Sequence, residues 1–372
     1  MSKKLRVAVI GCGGIANNKH FPALTSQADK CELVAFCDIK VERAKEAAEK
    51  FGTADAKYYE DYKELLKDDS IDVVHVCTPN VSHAPITIAA FEAGKHVLCE
   101  KPMSHSPLEA KKMLEAWKKS GKQFTIGYQN RFRDEVRALH ESCEKGELGD
   151  IYFAKAHALR RKAVPTWGVF PDKSQQGGGP LIDIGTHALD ITLWMMDNYE
   201  PESVTGSVFH KLGNLPGAEE GNLFGPWDTD TYEVEDSAFG YIKMKNGATI
   251  FLEAAWALNI LESKEAATTL CGTLAGAHIN SGMSYSQPQL IFNRSRNGIL
   301  MQEEISGAGN IAFFEGGANA PEVLEAKQWL EAIQNGTEPL VKPEQAFVVT
   351  QILDAIYQAA ETGNEVKLEL LK

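Results

Sequence analysis

The chain has 372 residues, 44% of them hydrophobic, and a formal net charge of −13. Two domains are expected at that length, and scattered Lys and Arg in an acidic chain exclude nucleic acid and anionic membrane as partners. No apolar run approaches the ~20 residues of a membrane span, and seven cysteines without C-x-x-C spacing point to a reducing cytoplasm rather than a disulfide framework or a metal site.

The run from Leu5 to Ile10 reads as a buried parallel strand and ends in Gly11-Cys12-Gly13-Gly14-Ile15-Ala16. Gly11 permits a tight turn, Gly13 removes a Cβ that would block a pyrophosphate, and Ala16 lets the following helix pack on its strand. A diphosphate would then meet the free N–H groups of that helix. The next strand, Glu32 to Cys37, closes on Asp38, somewhat further along than the usual ~20 residues. A carboxylate there accepts from both ribose hydroxyls and repels a 2′-phosphate, which favours NAD. Lys40 and Arg43 could reach a 2′-phosphate, so NADP stays open, and Asp38 also reads as a cap for the helix Val41 to Phe51.

Strands at Asp72 to Thr78, His96 to Cys99 and Phe124 to Gly127 alternate with helical patterns at Asp61 to Lys67, Val81 to Ala93 and Pro107 to Ser120. This alternation predicts a doubly wound parallel sheet, the dinucleotide-binding domain of residues 1–127. Ligands of such sheets bind at the carboxyl ends of the strands. Gly11, Asp38, Thr78-Pro79-Asn80 and Glu100-Lys101-Pro102 should therefore share one rim. Lys101 suits proton transfer beside a nicotinamide; equally, Glu100 and Lys101 read as a surface ion pair closing a strand.

Beyond a helix from Arg133 to Lys145 the pattern changes. Ile151 to Arg160, Ser203 to Leu212, Val234 to Lys245, Ala248 to Leu258 and Glu265 to Gly272 are strand candidates, and Lys245-Asn246-Gly247 is a hairpin signal. A mostly antiparallel sheet is expected in a second α/β domain, residues 128–372. Gly213 to Asp230 reads as a loop or lid. Helices near Pro321 to Gln334 and Pro343 to Thr362 follow, the last with scope to pack back on the first domain.

Leu181 to Met196 is helical and apolar around most of its circumference, yet Asp183, His187 and Asp190 fall at i, i+4 and i+7. Buried polar groups cost several kcal/mol unless paired, so the stripe must face partners, water or a ligand. Asp183 and His187 stand ~5–6 Å apart on such a helix, close enough to act on one small molecule. The alternative is a dipole-complementing Asp183 and a satisfied core histidine. Gly177-Gly178-Gly179-Pro180 bends the chain before it, and Gly185 suggests a close approach to the helix.

These segments resemble the Gfo/Idh/MocA oxidoreductase family, which includes glucose–fructose oxidoreductase and inositol dehydrogenases. The resemblance rests on the Gly11–Ala16 turn, Thr78-Pro79-Asn80 with His83, Glu100-Lys101-Pro102, and the Gly177–His187 segment, and it covers essentially the whole chain. It implies an N-terminal Rossmann domain and a C-terminal domain whose large open sheet makes a homodimer or homotetramer. It also implies that Lys101 bridges substrate and nicotinamide ribose, that His187 is the acid/base, and that Asp183 orients substrate. Asn80 and His83 would lie by the nicotinamide, with Glu100 and Pro102 shaping the Lys101 turn. Arg160, Arg161 and Trp167 fall where such enzymes vary with substrate, and Trp167 suits a sugar ring as well as a core.

The expected activity is hydride transfer between NAD, or NADP, and a sugar, polyol or cyclitol carbinol. Two alternatives are a non-catalytic dinucleotide- and sugar-binding regulator and an NAD-dependent glycosidase that releases aglycone without net NADH.

Overall fold

The structure, a computed structural model, describes residues 3–279, 290–305 and 320–369. It divides into two compact units, Met1–Phe132 with Gly316–Phe347, and Arg133–Glu315 with Val348–Lys372.

In the first unit six parallel strands, β1 (Leu5–Ile10), β2 (Cys31–Cys37), β3 (Lys57–Tyr59), β4 (Val73–Val76), β5 (His96–Cys99) and β6 (Phe124–Ile126), run in the order β3-β2-β1-β4-β5-β6. The strands alternate with helices, so both sheet faces are covered and the buried strands are rich in Val, Leu and Ile. Only β3 is absent from the sequence reading, because three half-exposed residues carry no period. Register fixes the rim: Ile10 lies opposite Cys37 and Val76, Val76 opposite Cys99, and Cys99 opposite Ile126. The residues that follow these strands therefore emerge side by side.

The helix Pro321–Asn335 belongs to this unit. Val323, Ala326, Trp329 and Leu330 share one buried cluster with Val7, Phe21, Leu24 and Phe36. A division of the chain at residue 127 leaves that helix outside the unit whose core it joins, and residues 128–132 outside the unit that holds them.

Among the described residues the second unit carries nine strands: β7 (Ile151–Leu159), β8 (Pro201–Phe209), β9 (Ser237–Met244), β10 (Thr249–Ala255), β11 (Lys264–Gly272), β12 (Ala275–Ile279), β13 (Leu290–Arg296), β14 (Ile299–Ile305) and β15 (Val366–Lys367). Their order is β14-β13-β12-β11-β7-β10-β9-β8-β15, antiparallel except for β7 beside β10. The Asn-Gly hairpin forms between β9 and β10, where the Asn246 side chain accepts from the Ala248 N–H at 3.0 Å. Helix Thr186–Met196 covers one face, against β7 and β11. On the other, Lys155, Tyr241, Lys243 and Phe251 are exposed.

Candidate active site

In the first unit the site is built at the rim. Gly11 has φ +93°, and a Cβ there would lie 2.5 Å from the Cys77 carbonyl oxygen, so only glycine fits the crossing from β1. At Gly13 and Gly14 an added Cβ would meet nothing within 4 Å, which leaves open space in front of the turn. The turn is pinned from behind by Asn17, whose Nδ2 donates to the Cys12 and Gly13 carbonyls at 3.0 and 2.9 Å. Cys12 itself is buried, and its thiol is pushed up to about 12 by burial and by Asp38, so it stays neutral.

Asp38 is buried and already holds two backbone donors, Cys12 N–H at 2.9 Å and Lys40 N–H at 2.8 Å. A carboxylate has about four lone-pair sites. Two remain for ribose hydroxyls, so the residues present fit a dinucleotide. Thr78, Pro79 and Asn80 follow β4 on the same rim, and His83 behind them is buried. Its Nδ1 faces the Pro102 carbonyl at 2.8 Å and its Nε2 the Thr78 carbonyl at 2.9 Å, so His83 braces two rim turns rather than pointing outward. The Lys101–Pro102 bond is cis.

Glu100 is not part of a surface ion pair; it is 4% exposed and lies inside a charged cluster that the sequence did not disclose. Its Oε1 accepts from Lys19 Nζ at 2.7 Å and faces His20 Nε2 at 2.8 Å, while Oε2 accepts the Lys101 backbone N–H at 3.1 Å. Lys19 also reaches Glu325 on the returning helix at 2.9 Å and the Gln129 side chain at 3.1 Å. His20 Nδ1 meets His75 Nδ1 at 2.9 Å. Burial lowers both histidines, with Glu100 opposing the shift at His20, so both are neutral. The geometry then assigns the protons: His20 donates to Glu100 and accepts from His75.

One ammonium is shared by two carboxylates, and they respond differently. Burial alone would raise Glu100, but Lys19 and His20 outweigh it and hold it well below the usual carboxylate range. Glu325 is pushed up to about 7 by burial and by Glu100's charge, Lys19 notwithstanding, and its Oε1 has no partner among the described residues. Unfolded Glu325 ionises near its ordinary 4.5, whereas the folded side chain keeps its proton to about 7. This contribution to stability is therefore full below that lower value and is lost as pH rises through the higher one, by about 3 kcal/mol at most. Glu325→Gln should flatten the slope of unfolding free energy between pH 4 and 8 in urea titrations. An unchanged slope would refute the assignment.

In the second unit the stripe helix starts with a π-helical turn, Leu181–Gly185, and continues as α-helix from Thr186. Such turns recur at functional sites because they redirect side chains. Asp183 and His187 are half-buried and Asp190 fully buried. Gly185 marks a close approach, since its Cβ would lie 3.1 Å from that of Ala254 on β10. The helix N-terminus is held by Glu235, which accepts from Gly179 N–H at 2.8 Å, Leu181 N–H at 3.1 Å and the Tyr357 hydroxyl at 2.8 Å. Burial raises Glu235 and these donors oppose the shift.

Trp256, fully buried just after β10, donates its indole N–H to Asp183 Oδ2 at 3.1 Å. Arg160 adds positive potential at Asp183 and is locked on Glu265, with Nε to Oε2 at 2.8 Å. Arg161 does not join them. Side chains alternate along β7 and its extension, so Arg161 lines a cleft of about 590 Å³ with His157, Glu253 and Lys264. Trp167 is 51% exposed and touches Phe170 and Phe224. Trp256 was not among the sequence candidates, because an indole closing an apolar strand looks like core.

A parallel sheet with a glycine turn, a buried acid after the second strand and a lysine on one rim fits the dinucleotide domain of a nicotinamide-dependent oxidoreductase. The chain belongs to the Gfo/Idh/MocA oxidoreductase family: the model of its NAD-binding Rossmann fold matches residues 5–128, and that of its C-terminal α/β domain matches residues 140–368. It is an NAD-dependent dehydrogenase acting on CH–OH groups. The chain is 37% identical to the D-glucoside 3-dehydrogenase of Escherichia coli (strain K12) over 367 residues, 99% of this chain and 98% of that one. It is 31% identical to the glucose-6-phosphate 3-dehydrogenase of Bacillus subtilis (strain 168), covering 72% and 70% of the two chains. A solved levoglucosan dehydrogenase in complex with NADH shares the fold, with a TM-score of 0.81 at 23% identity over 99% of this chain and 100% of that chain. Among the described residues no helix is long and apolar enough to cross a membrane, and no group of three or more His, Cys, Asp or Glu could hold a metal ion.

Proposed function

We propose that this enzyme oxidises the C3 hydroxyl of a D-glucoside, or reduces the matching 3-keto sugar. The observation that carries this reading is the Asp183 carboxylate, held by the Trp256 N–H one helical turn before His187, on a chain similar along its whole length to a D-glucoside 3-dehydrogenase. When bound, NAD supplies a hydride acceptor. His187 takes the hydroxyl proton and Asp183 holds that hydroxyl or its neighbour; Lys101 is the catalytic candidate on the dinucleotide rim. Gly11 to Ala16 receive the diphosphate, Asp38 the ribose, and Thr78, Pro79, Asn80 and Lys101 border the nicotinamide end, with His83 and Glu100 fixing the turns. The exposed face of the nine-stranded sheet, where Phe251 contacts Tyr241 and Phe153, supports a homodimer or homotetramer.

The test is a panel of glucosides, free sugars and inositols with NAD and NADP, followed by reduced-nicotinamide absorbance. NADH formation with glucosides, and a 3-keto product by mass and NMR, is the expected result; no turnover, or aglycone release without NADH, overturns it. Asp38→Ser should narrow the preference for NAD over NADP at least tenfold, about 1.4 kcal/mol, in titrations of the two dinucleotides. An unchanged ratio would remove Asp38 from the ribose site.

A further inference from the structure

Two large rings of the second unit stand in solvent although apolar neighbours are within reach. Trp167 is 51% and Phe224 38% exposed. Isolated surface aromatics are ordinary, but these touch edge to face at 4.8 Å between centroids. The series continues inward: Trp167 meets Phe170 at 6.0 Å, and Phe170 meets Trp256 at 6.2 Å. Trp256 is the indole that holds Asp183. A row of rings therefore leads from the carboxylate assigned to the reacting hydroxyl out to an exposed platform.

The platform is held in place. Thr166 Oγ1 donates to the Phe224 carbonyl at 2.7 Å, the Val164 N–H donates to Asn222 Oδ1 at 2.8 Å, and Asn222 Nδ2 donates back to the Val164 carbonyl at 3.0 Å. The Leu223 N–H donates to the Lys162 carbonyl at 3.1 Å. These bonds join residues 162–166 to 222–224 and so tie together the two segments that carry the rings. Tying the two segments together beforehand lowers the entropy lost when a ligand lands between the rings.

We propose that Trp167 and Phe224, backed by Phe170, form a subsite for the substituent on the reacting sugar: a ring with an apolar face, either an aryl aglycone or a second pyranose. This rests on the glucoside reading above and deepens it. Trp167 lies two ring contacts from Trp256, so it serves the group attached to the sugar rather than the sugar whose hydroxyl Asp183 holds. Inositols and free monosaccharides have nothing to place there.

The test compares kcat/KM with NAD for methyl, phenyl and disaccharide glucosides, both anomers, in the wild type, Phe224→Ala, Trp167→Ala and Trp167→Phe. The wild type should prefer the phenyl or disaccharide substrate over the methyl glucoside at least tenfold, chiefly through KM. Phe224→Ala and Trp167→Ala should each cut that ratio fivefold or more, and Trp167→Phe should restore most of it. Which ring is preferred separates the aryl from the sugar source. Equal wild-type efficiency on methyl and ring-bearing glucosides, or variants that weaken all three substrates alike, would overturn the subsite. If no glucoside turns over, the glucoside reading fails by itself. Titration of intrinsic tryptophan fluorescence then decides the subsite: tenfold tighter binding of phenyl than of methyl glucoside supports it, and equal binding overturns it. The wild-type comparison keeps the proposal falsifiable should a variant misfold.

Discussion

His187→Ala should lower kcat by roughly 10²–10⁴-fold, the range in which a positioned general base contributes, while NADH binding, followed by its fluorescence, stays within twofold of wild type. The physical reason is the location of the side chain. His187 lies in the second unit, one helical turn past Asp183, on a helix fixed at its start by Glu235 and Tyr357 and pressed on β10 at Gly185. The residues proposed to hold the dinucleotide all lie in the first unit. Loss of the imidazole should thus remove a proton acceptor without disturbing the phosphate or ribose contacts. The loss should shrink as pH rises, because hydroxide in solvent partly replaces the missing base. Full turnover in this variant, with cofactor bound, would remove the base assignment.

Lys19→Met should destabilise the protein by about 3–5 kcal/mol, the usual cost of breaking a buried ion pair by deleting one partner. Lys19 is 6% exposed, and its ammonium is the cation that both Glu100 and Glu325 bind. Burial pulls Lys19 down, but the two carboxylates outweigh it and hold its pKa above the ordinary lysine value. With methionine in its place two buried carboxyl groups face one another uncompensated. The midpoint of urea unfolding should fall steeply at pH 8 and less at pH 5, where Glu325 is neutral in either protein. A loss below 1 kcal/mol at pH 8 would show that water enters the cluster and screens it. Because Glu100 Oε2 holds the Lys101 N–H, the surviving folded fraction should also show weaker turnover.

How far these residues were legible depends on the range over which each signal acts. The Gly11 turn, Asp38 and the polar stripe were readable because each lies within one strand–turn–helix unit and breaks a local pattern. The dinucleotide sheet followed from the same local alternation. Lys19 and His20 were not readable: Asn17-Asn18-Lys19-His20 looks like a solvated helical face, and only a helix some three hundred residues later closes over it. Glu235 and Tyr357 likewise lie far in sequence from the helix they cap. Arg160 and Arg161 differ only in strand parity, which a register shift of one residue inverts. Strand β12 is short and opens on three small residues, and β14 is exposed throughout, so neither carries the alternation that betrays a half-buried strand.

The helix that closes the dinucleotide core has a bearing on the order in which the protein matures. Trp329 and Leu330 fill the space beside Val7 and Phe21, yet a ribosome makes them more than three hundred residues afterwards. Until they emerge, the nascent first sheet keeps an uncovered apolar flank and Lys19 lacks one of its two counter-ions. The core of the dinucleotide unit is therefore completed only once residues 321–335 have been made.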